Sequence, residues 1–232
     1  MENAKARPRK SGAYFFVMAQ DFVNKQRVVV YVDGFNFYYG IRRRPWNKYY
    51  WLDVVALFEQ FMGPSQELVA VKYFSARPLG NQEKSLRQNA FFQANLENRK
   101  FNLILGKYLK KKLECFKCHN IIETFEEKQS DVNLATQIVA DAYQDNCDIA
   151  ILVSADSDMI PAINLAREAG KKVFIYFPPN HSSSNMLSLG TPTRLERYES
   201  RFKKAMLPDR IVLKTGFELE IPAKWKARRD GK

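Results

Sequence analysis

The chain has 232 residues, 46% hydrophobic and 13% aromatic, enough to bury a core and too apolar for a globally disordered chain. No apolar run approaches the roughly 18 residues of a membrane-spanning helix, which leaves out an integral helical membrane protein and any membrane partner of that kind. The net charge of +12 is uneven, with +4 in residues 1–27, +6 in residues 194–232 and the remaining +2 between them. A near-neutral body with basic flanks suits a polyanion, because Lys and Arg release counterions from phosphates. A solvated basic surface with no partner has the same composition.

Residues 1–26 read as a basic N-terminal extension. Its run AYFFVMA (13–19) is short for a signal peptide and lacks a small-residue cleavage site. Residues 27–32 (RVVVYV) form a buried strand that ends in a turn at Gly34. A helix is expected over 52–62, then a strand over 67–74, a long helix over 82–98 and a strand over 101–105. Residues 107–128 break this rhythm and read as a β-hairpin with CFKCHN near its tip. Ser130 is expected to cap a helix running to about Tyr143. A fourth strand covers 148–154, a helix covers 158–169 before Gly170, and a fifth strand covers 172–177. A basic helix from Thr191 and a short extended tail complete the chain. Alternation of this kind predicts an α/β fold, a mainly parallel sheet with helices on both faces, plus the hairpin excursion and the tail. The expected division is an extension (1–26), one α/β domain (27–207) and an extended basic tail (208–232) packed on the domain or trailing it.

Three cysteines, Cys115, Cys118 and Cys147, are an odd number in a long chain and argue for reduced thiols in a cytoplasmic protein. Cys115, Cys118 and His119 supply only three of the four ligands of a structural zinc, so a complete site within one subunit is not expected. A site shared across a homodimer stays open. There is no Walker loop, no G-x-G-x-x-G and no G-x-S-x-G elbow, which disfavours nucleotide-binding and acyl-transfer enzymes.

Two apolar strands end in acids. Asp33 closes YVDGFNF, with Asn36 three residues on, and Asp156 and Asp158 follow ILVSADSD. Asp131 lies in the first turn of a helix. Singly, each has an ordinary reading as a turn or helix-start residue. Together, at the carboxyl ends of parallel strands, they would crowd one site. Crowded carboxylates repel unless a cation joins them, and oxygen-only ligands with room for water suit Mg²⁺ or Mn²⁺.

In order along the chain stand VDGFN (32–36), ARP (76–78), RQ (87–88), C-x-x-C (115–118), EEKQSDVNLA (126–135), ILVSADSDMIPA (151–162), FPPNHS (177–182) and LPD…GFELEIPAKW at the end. This series, over roughly residues 27–225, resembles the NYN family of PIN-like ribonucleases. The resemblance implies a PIN-like sheet, a divalent metal and cleavage of RNA. Asp33, Asp131, Asp156 and Asp158 match its acidic positions, as catalytic residues and metal ligands, and Asn36 and Ser154 match its polar support. Ala155 stands where the motif commonly has Gly.

Candidate RNA contacts are Arg42, Arg43, Arg44 and Trp46 in the basic-aromatic segment 41–51, together with Arg87, His181 and Arg194. The leading reading is therefore a metal-dependent endoribonuclease. The alternatives are a non-catalytic RNA-binding or regulatory module of the same fold, and a phosphatase acting on small esters.

Overall fold

In the computed structural model, which describes residues 25–78 and 81–231, the β-branched run QRVVVYVD forms β1 (Gln26–Asp33) inside a six-stranded sheet. The extension expected over residues 1–26 lies outside the described residues except for its last two. The other strands of the sheet are β2 (Gln66–Ser75), β3 (Phe101–Leu105), β6 (Ile149–Val153), β7 (Lys172–Phe177) and β8 (Thr193–Arg194). β4 (Lys107–Glu114) and β5 (Ile121–Lys128) pair antiparallel as a separate hairpin.

The sheet order is β3-β2-β1-β6-β7-β8, and every pairing is parallel. The chain winds outward from β1 to β3, returns to β6 beside β1, and winds outward the other way. The switch point therefore lies between β1 and β6, where an open parallel sheet parts its connecting loops and leaves a crevice. Val32 pairs with Val153, which sets Asp33 and Ser154 side by side just past the register.

Alternation along β1 feeds two cores. Val28, Val30 and Val32 pack on one face under α1 (Gly34–Arg42), α2 (Val54–Glu59) and α3 (Gln82–Leu96). Val29 and Tyr31 pack on the other under α4 (Ser130–Tyr143) and α5 (Ile160–Glu168). A polar tie crosses that second core. Asp141 on α4 is fully buried and accepts from Tyr31 Oη at 2.7 Å and from Lys72 Nζ at 2.6 Å.

Several local expectations need correction. Gly34 does not simply end the strand in a turn; it opens α1, because Asp33 accepts from the Asn36 amide and caps it. Ser130 caps nothing: Gln129, in a left-handed conformation, precedes α4, and the buried Ser130 hydroxyl has no partner among the described residues. The first-turn amide of Ser130 is satisfied by Glu127 instead. After a short α6 (Ser184–Leu187), no basic helix begins at Thr191. β8 extends the sheet there, and only a six-residue α7 (Glu199–Lys204) follows one 3₁₀ turn. The C-terminal stretch is extended only in part. β9 (Arg210–Val212) and β10 (Glu218–Glu220) form a hairpin, and α8 (Ala223–Arg229) follows. Burial of Leu213, Leu219, Ile221 and Trp225 draws this segment onto the first core, since leaving them in water would forfeit their hydrophobic stabilisation.

Candidate functional site

The two strand-end motifs are latched to each other by hydrogen bonds. Asp33 is 7% exposed; one carboxylate oxygen accepts from the Asn36 amide and the other from the Ser154 hydroxyl, both at 2.9 Å. Ser154 is fully buried, and its Oγ also accepts from the Asp156 amide at 3.0 Å. Asp156 caps the turn at Ser157–Met159 by accepting from the Asp158 amide at 3.0 Å. From the other side, the Asn36 side-chain oxygen accepts from the Ala155 amide at 3.2 Å. Ala155 is not among the residues with positive φ, so alanine fits where the family motif has glycine.

The carboxylates sense one another. The Asp33 carboxyl is raised to about 6: burial pushes it up, the hydrogen bonds from Asn36 and Ser154 pull it part of the way back, and the charges of Asp131 and Asp156 add to the rise. Asp131 is raised by burial first, then by Glu127, Asp156 and Asp158. Asp33, Asp131, Asp156 and Asp158 therefore share one field at the switch point. Glu127 joins them, an acid the motif reading quoted without assigning it a role. Its signal was the EEKQSD string, where one turn separates it from the start of α4.

This donor set fits a hard divalent cation. It offers only oxygen, and repulsion within it falls when a positive charge arrives. Among the described residues no three such donors stand close enough to enclose an ion. One or two carboxylates with water filling the other positions is the ligation Mg²⁺ favours.

The expected nucleic-acid contacts scatter. Trp46 is buried, with its ring edge-on to Phe202 at 5.1 Å and beside Tyr49 at 5.7 Å; this corrects the expectation that it stacks on a base, because its faces are already covered by the core. Tyr49, Tyr50 and Trp51 are likewise buried. Arg42 and Arg87 line one cavity beside Asp33, and Gln88 donates from α3 to Ser75 and Ala76 at the end of β2. His181 lies against the C-terminal half of α1, where burial and then Arg43 lower its pKa. Arg194 pairs with Glu196 at 3.7 Å and lies over the Phe177 ring. Arg44 is exposed beside Arg43. Tyr39, Lys84, Tyr108 and Arg228 also line the cavity and were missed; Arg228 belongs to the helix read as extended tail.

Cys115 and Cys118 flank the hairpin turn, and His119 is engaged with Glu114 at 2.8 Å. Cys147 is buried in the second core against Tyr31.

A sequence model of the NYN domain matches residues 27–190, which spans β1, both acidic strand ends and the start of α4. The chain belongs to the NYN domain family. One relative, "6-hydroxy-3-succinoylpyridine 3-monooxygenase HspA" of Pseudomonas putida (strain DSM 28022 / S16), is 31% identical over 175 residues. That match covers 61% of this chain and 55% of the relative, so the NYN chain spans about half the length of that protein. A solved structure of a protein of unknown function, VPA0982 from Vibrio parahaemolyticus RIMD 2210633, superposes with a TM-score of 0.51 at 21% identity. It covers 74% of this chain and 93% of its own, and the likeness is one of fold.

Proposed function

We propose that this NYN protein is a metal-dependent endoribonuclease that hydrolyses phosphodiester bonds at the β1/β6 switch point. The observation that supports the reading is the latch joining Asp33, Ser154 and the Asp156 backbone at the β1/β6 switch point, where the Asp33 carboxyl feels the charges of Asp131 and Asp156. Mg²⁺ or Mn²⁺, when bound, acidifies water and neutralises charge building on phosphoryl oxygens. Asp33 and Asp156 are the direct ligands in this reading, with Asp131 and Asp158 completing the ring directly or through water. Ser154 and Asn36 hold the two motifs in place. The low-dielectric wall around Asp33 strengthens its attraction for a cation once the proton has left.

Incubation with single-stranded and structured RNA tests the reading. Cleavage is expected with Mn²⁺, none with EDTA, and none by Asp156→Asn in either. Cleavage by Asp156→Asn at the normal rate would remove the acids from the mechanism. RNA binding with no cleavage under any condition would leave a non-catalytic RNA-binding module.

The name of the Pseudomonas relative brings a second reading, oxygenation of a pyridine ring. The ring-lined cavity beside Asp33 favours it as a berth for an aromatic substrate. Oxygen uptake in the presence of a hydroxypyridine and a reductant, unaffected by Asp156→Asn, is the outcome that would select it.

A further inference from the structure

Beside Asp33 lies a cavity of about 280 Å³, close to the lower end of the roughly 300–1,000 Å³ range of ligand pockets. Its walls come from α1, α3, the end of β2, Tyr108 at the root of the hairpin, and α8. Aromatic rings dominate. Tyr38 stacks on Tyr50 at 5.3 Å and Tyr50 on Trp225 at 5.4 Å, a continuous stack along one wall. Tyr39 stands edge-on to Tyr38 and is 48% exposed, so a face of its ring stays open.

The charge is one-sided. Arg42, Lys84, Arg87, Lys224 and Arg228 line the cavity and, among the described residues, no carboxylate does. Among the described residues only Arg87 is ion-paired, with Glu83 at 3.2 Å. Arg42 lies 5.7 Å from the Tyr39 ring centre and Arg228 lies 5.3 Å from that of Tyr50, so cations and rings interleave. A second observation is independent of charge: the cavity is walled by the rings of Tyr38, Tyr39, Tyr73, Phe91, Tyr108 and Trp225, an apolar aromatic lining against which a flat heterocycle can lie.

We propose that this cavity holds one unpaired nucleotide, its base against the tyrosine rings and its phosphate among Arg42, Lys84 and Arg228. The proposal rests on the nuclease reading for its biological sense, because Gly34 and Phe35 of the wall follow Asp33 directly. A base reaches such a cavity only when it is unstacked and unpaired, so the site selects single strands or looped-out nucleotides over duplex. Rings and arginines at the mouth bind any base by its face and any phosphate by its charge. Sequence preference at this position is therefore weak.

The test measures binding in EDTA, so that neither metal nor cleavage enters the readout. An oligoribonucleotide of about eight nucleotides with one 2-aminopurine is titrated with protein, beside its duplex form, an all-abasic strand and the 2-aminopurine riboside monophosphate. Quenching by the single strand is expected, with duplex and abasic strands binding at least about tenfold more weakly. Tyr39→Ala is expected to weaken the single strand about tenfold and leave the abasic strand unchanged. Arg42→Ala with Arg228→Ala is expected to weaken both and flatten the salt dependence. Tyr39 is half exposed, and an unchanged melting temperature of Tyr39→Ala secures the comparison. Equal binding of single, duplex and abasic strands, or no effect of Tyr39→Ala, would overturn the proposal. The monophosphate arm separates two sources of one chemistry. Binding as tight as the strand, with the same Tyr39 dependence, supports the cavity and assigns it to free nucleotides; much weaker binding assigns it to a strand. The nuclease reading fails separately, if the protein binds in this way yet cuts nothing in Mn²⁺.

Discussion

Ser154 at the end of β6 donates its hydroxyl to Asp33 at the end of β1 across 2.9 Å, and the same oxygen accepts the Asp156 amide. One buried side chain thus sets the distance between two motifs 121 residues apart in sequence. Ser154→Ala removes both bonds. The Asp33 carboxyl, already raised to about 6, is expected to rise further, because that hydrogen bond stabilises its charged form. Denaturant unfolding at neutral pH should show a loss of about 1–2 kcal/mol, and the pH profile of Mn²⁺ binding should move to higher pH.

Asp33 makes the metal-free protein pH-sensitive. Its carboxyl is raised from the usual 3.8 to about 6, chiefly by burial. Between those values the folded chain holds more protons than the unfolded one, so stability falls as pH rises through this window and levels off above it, by at most about 3 kcal/mol. Asp33→Asn is expected to raise the melting temperature near neutral pH and to give little gain near pH 4, because the wild-type side chain is then neutral too. A cation competes with that proton, so calorimetric Mn²⁺ affinity should climb through about pH 6 and then flatten. An affinity that is flat across this range would remove Asp33 from the ligand set.

Gly34 is required by space. A Cβ there would meet the Phe74 carbonyl oxygen at 2.4 Å, and a carbonyl on the neighbouring strand cannot turn aside. Gly34→Ala is expected to push α1 away from β2 at a cost of about 1–3 kcal/mol. Because Asp33 caps that helix, cleavage should fall along with stability; thermal unfolding and the cleavage rate check both.

Lys72 and Asp141 test the second core apart from the acids of the site. Their ion pair at 2.6 Å is joined by Tyr31, and Asp141 has no exposed surface. Lys72→Met leaves a buried carboxylate without its counter-charge and should cost about 3–5 kcal/mol in denaturant unfolding. Replacing both, as Lys72→Met with Asp141→Leu, is expected to recover a large part of that loss, because no buried charge is then left unmatched.

The amino-acid order alone determined five of the six strands of the sheet, the hairpin and the acid positions. β3 and β7 run over the residues expected of them, and so does the hairpin, because runs such as FNLIL and KVFIYF carry a local signal of apolar, β-branched and aromatic residues. Asp33, Asp156 and Asp158 were legible for the same reason, Asp33 at the end of an apolar strand and the other two just after one, each in a recognisable motif. Tertiary structure decided what depends on distant partners. GFNFYYGIR has poor intrinsic helix propensity, yet it is helical because Asp33 caps it and Gly34 permits its approach to β2. That Trp46 packs into the core was settled by Phe202, more than 150 residues away in sequence. The tail likewise packs as a hairpin and a helix because Leu213, Leu219, Ile221 and Trp225 find the first core to bury against. Periodicity reports which side of an element is apolar; which neighbour covers it, and so which rings and cations remain free to meet a ligand, is a property of the assembled chain.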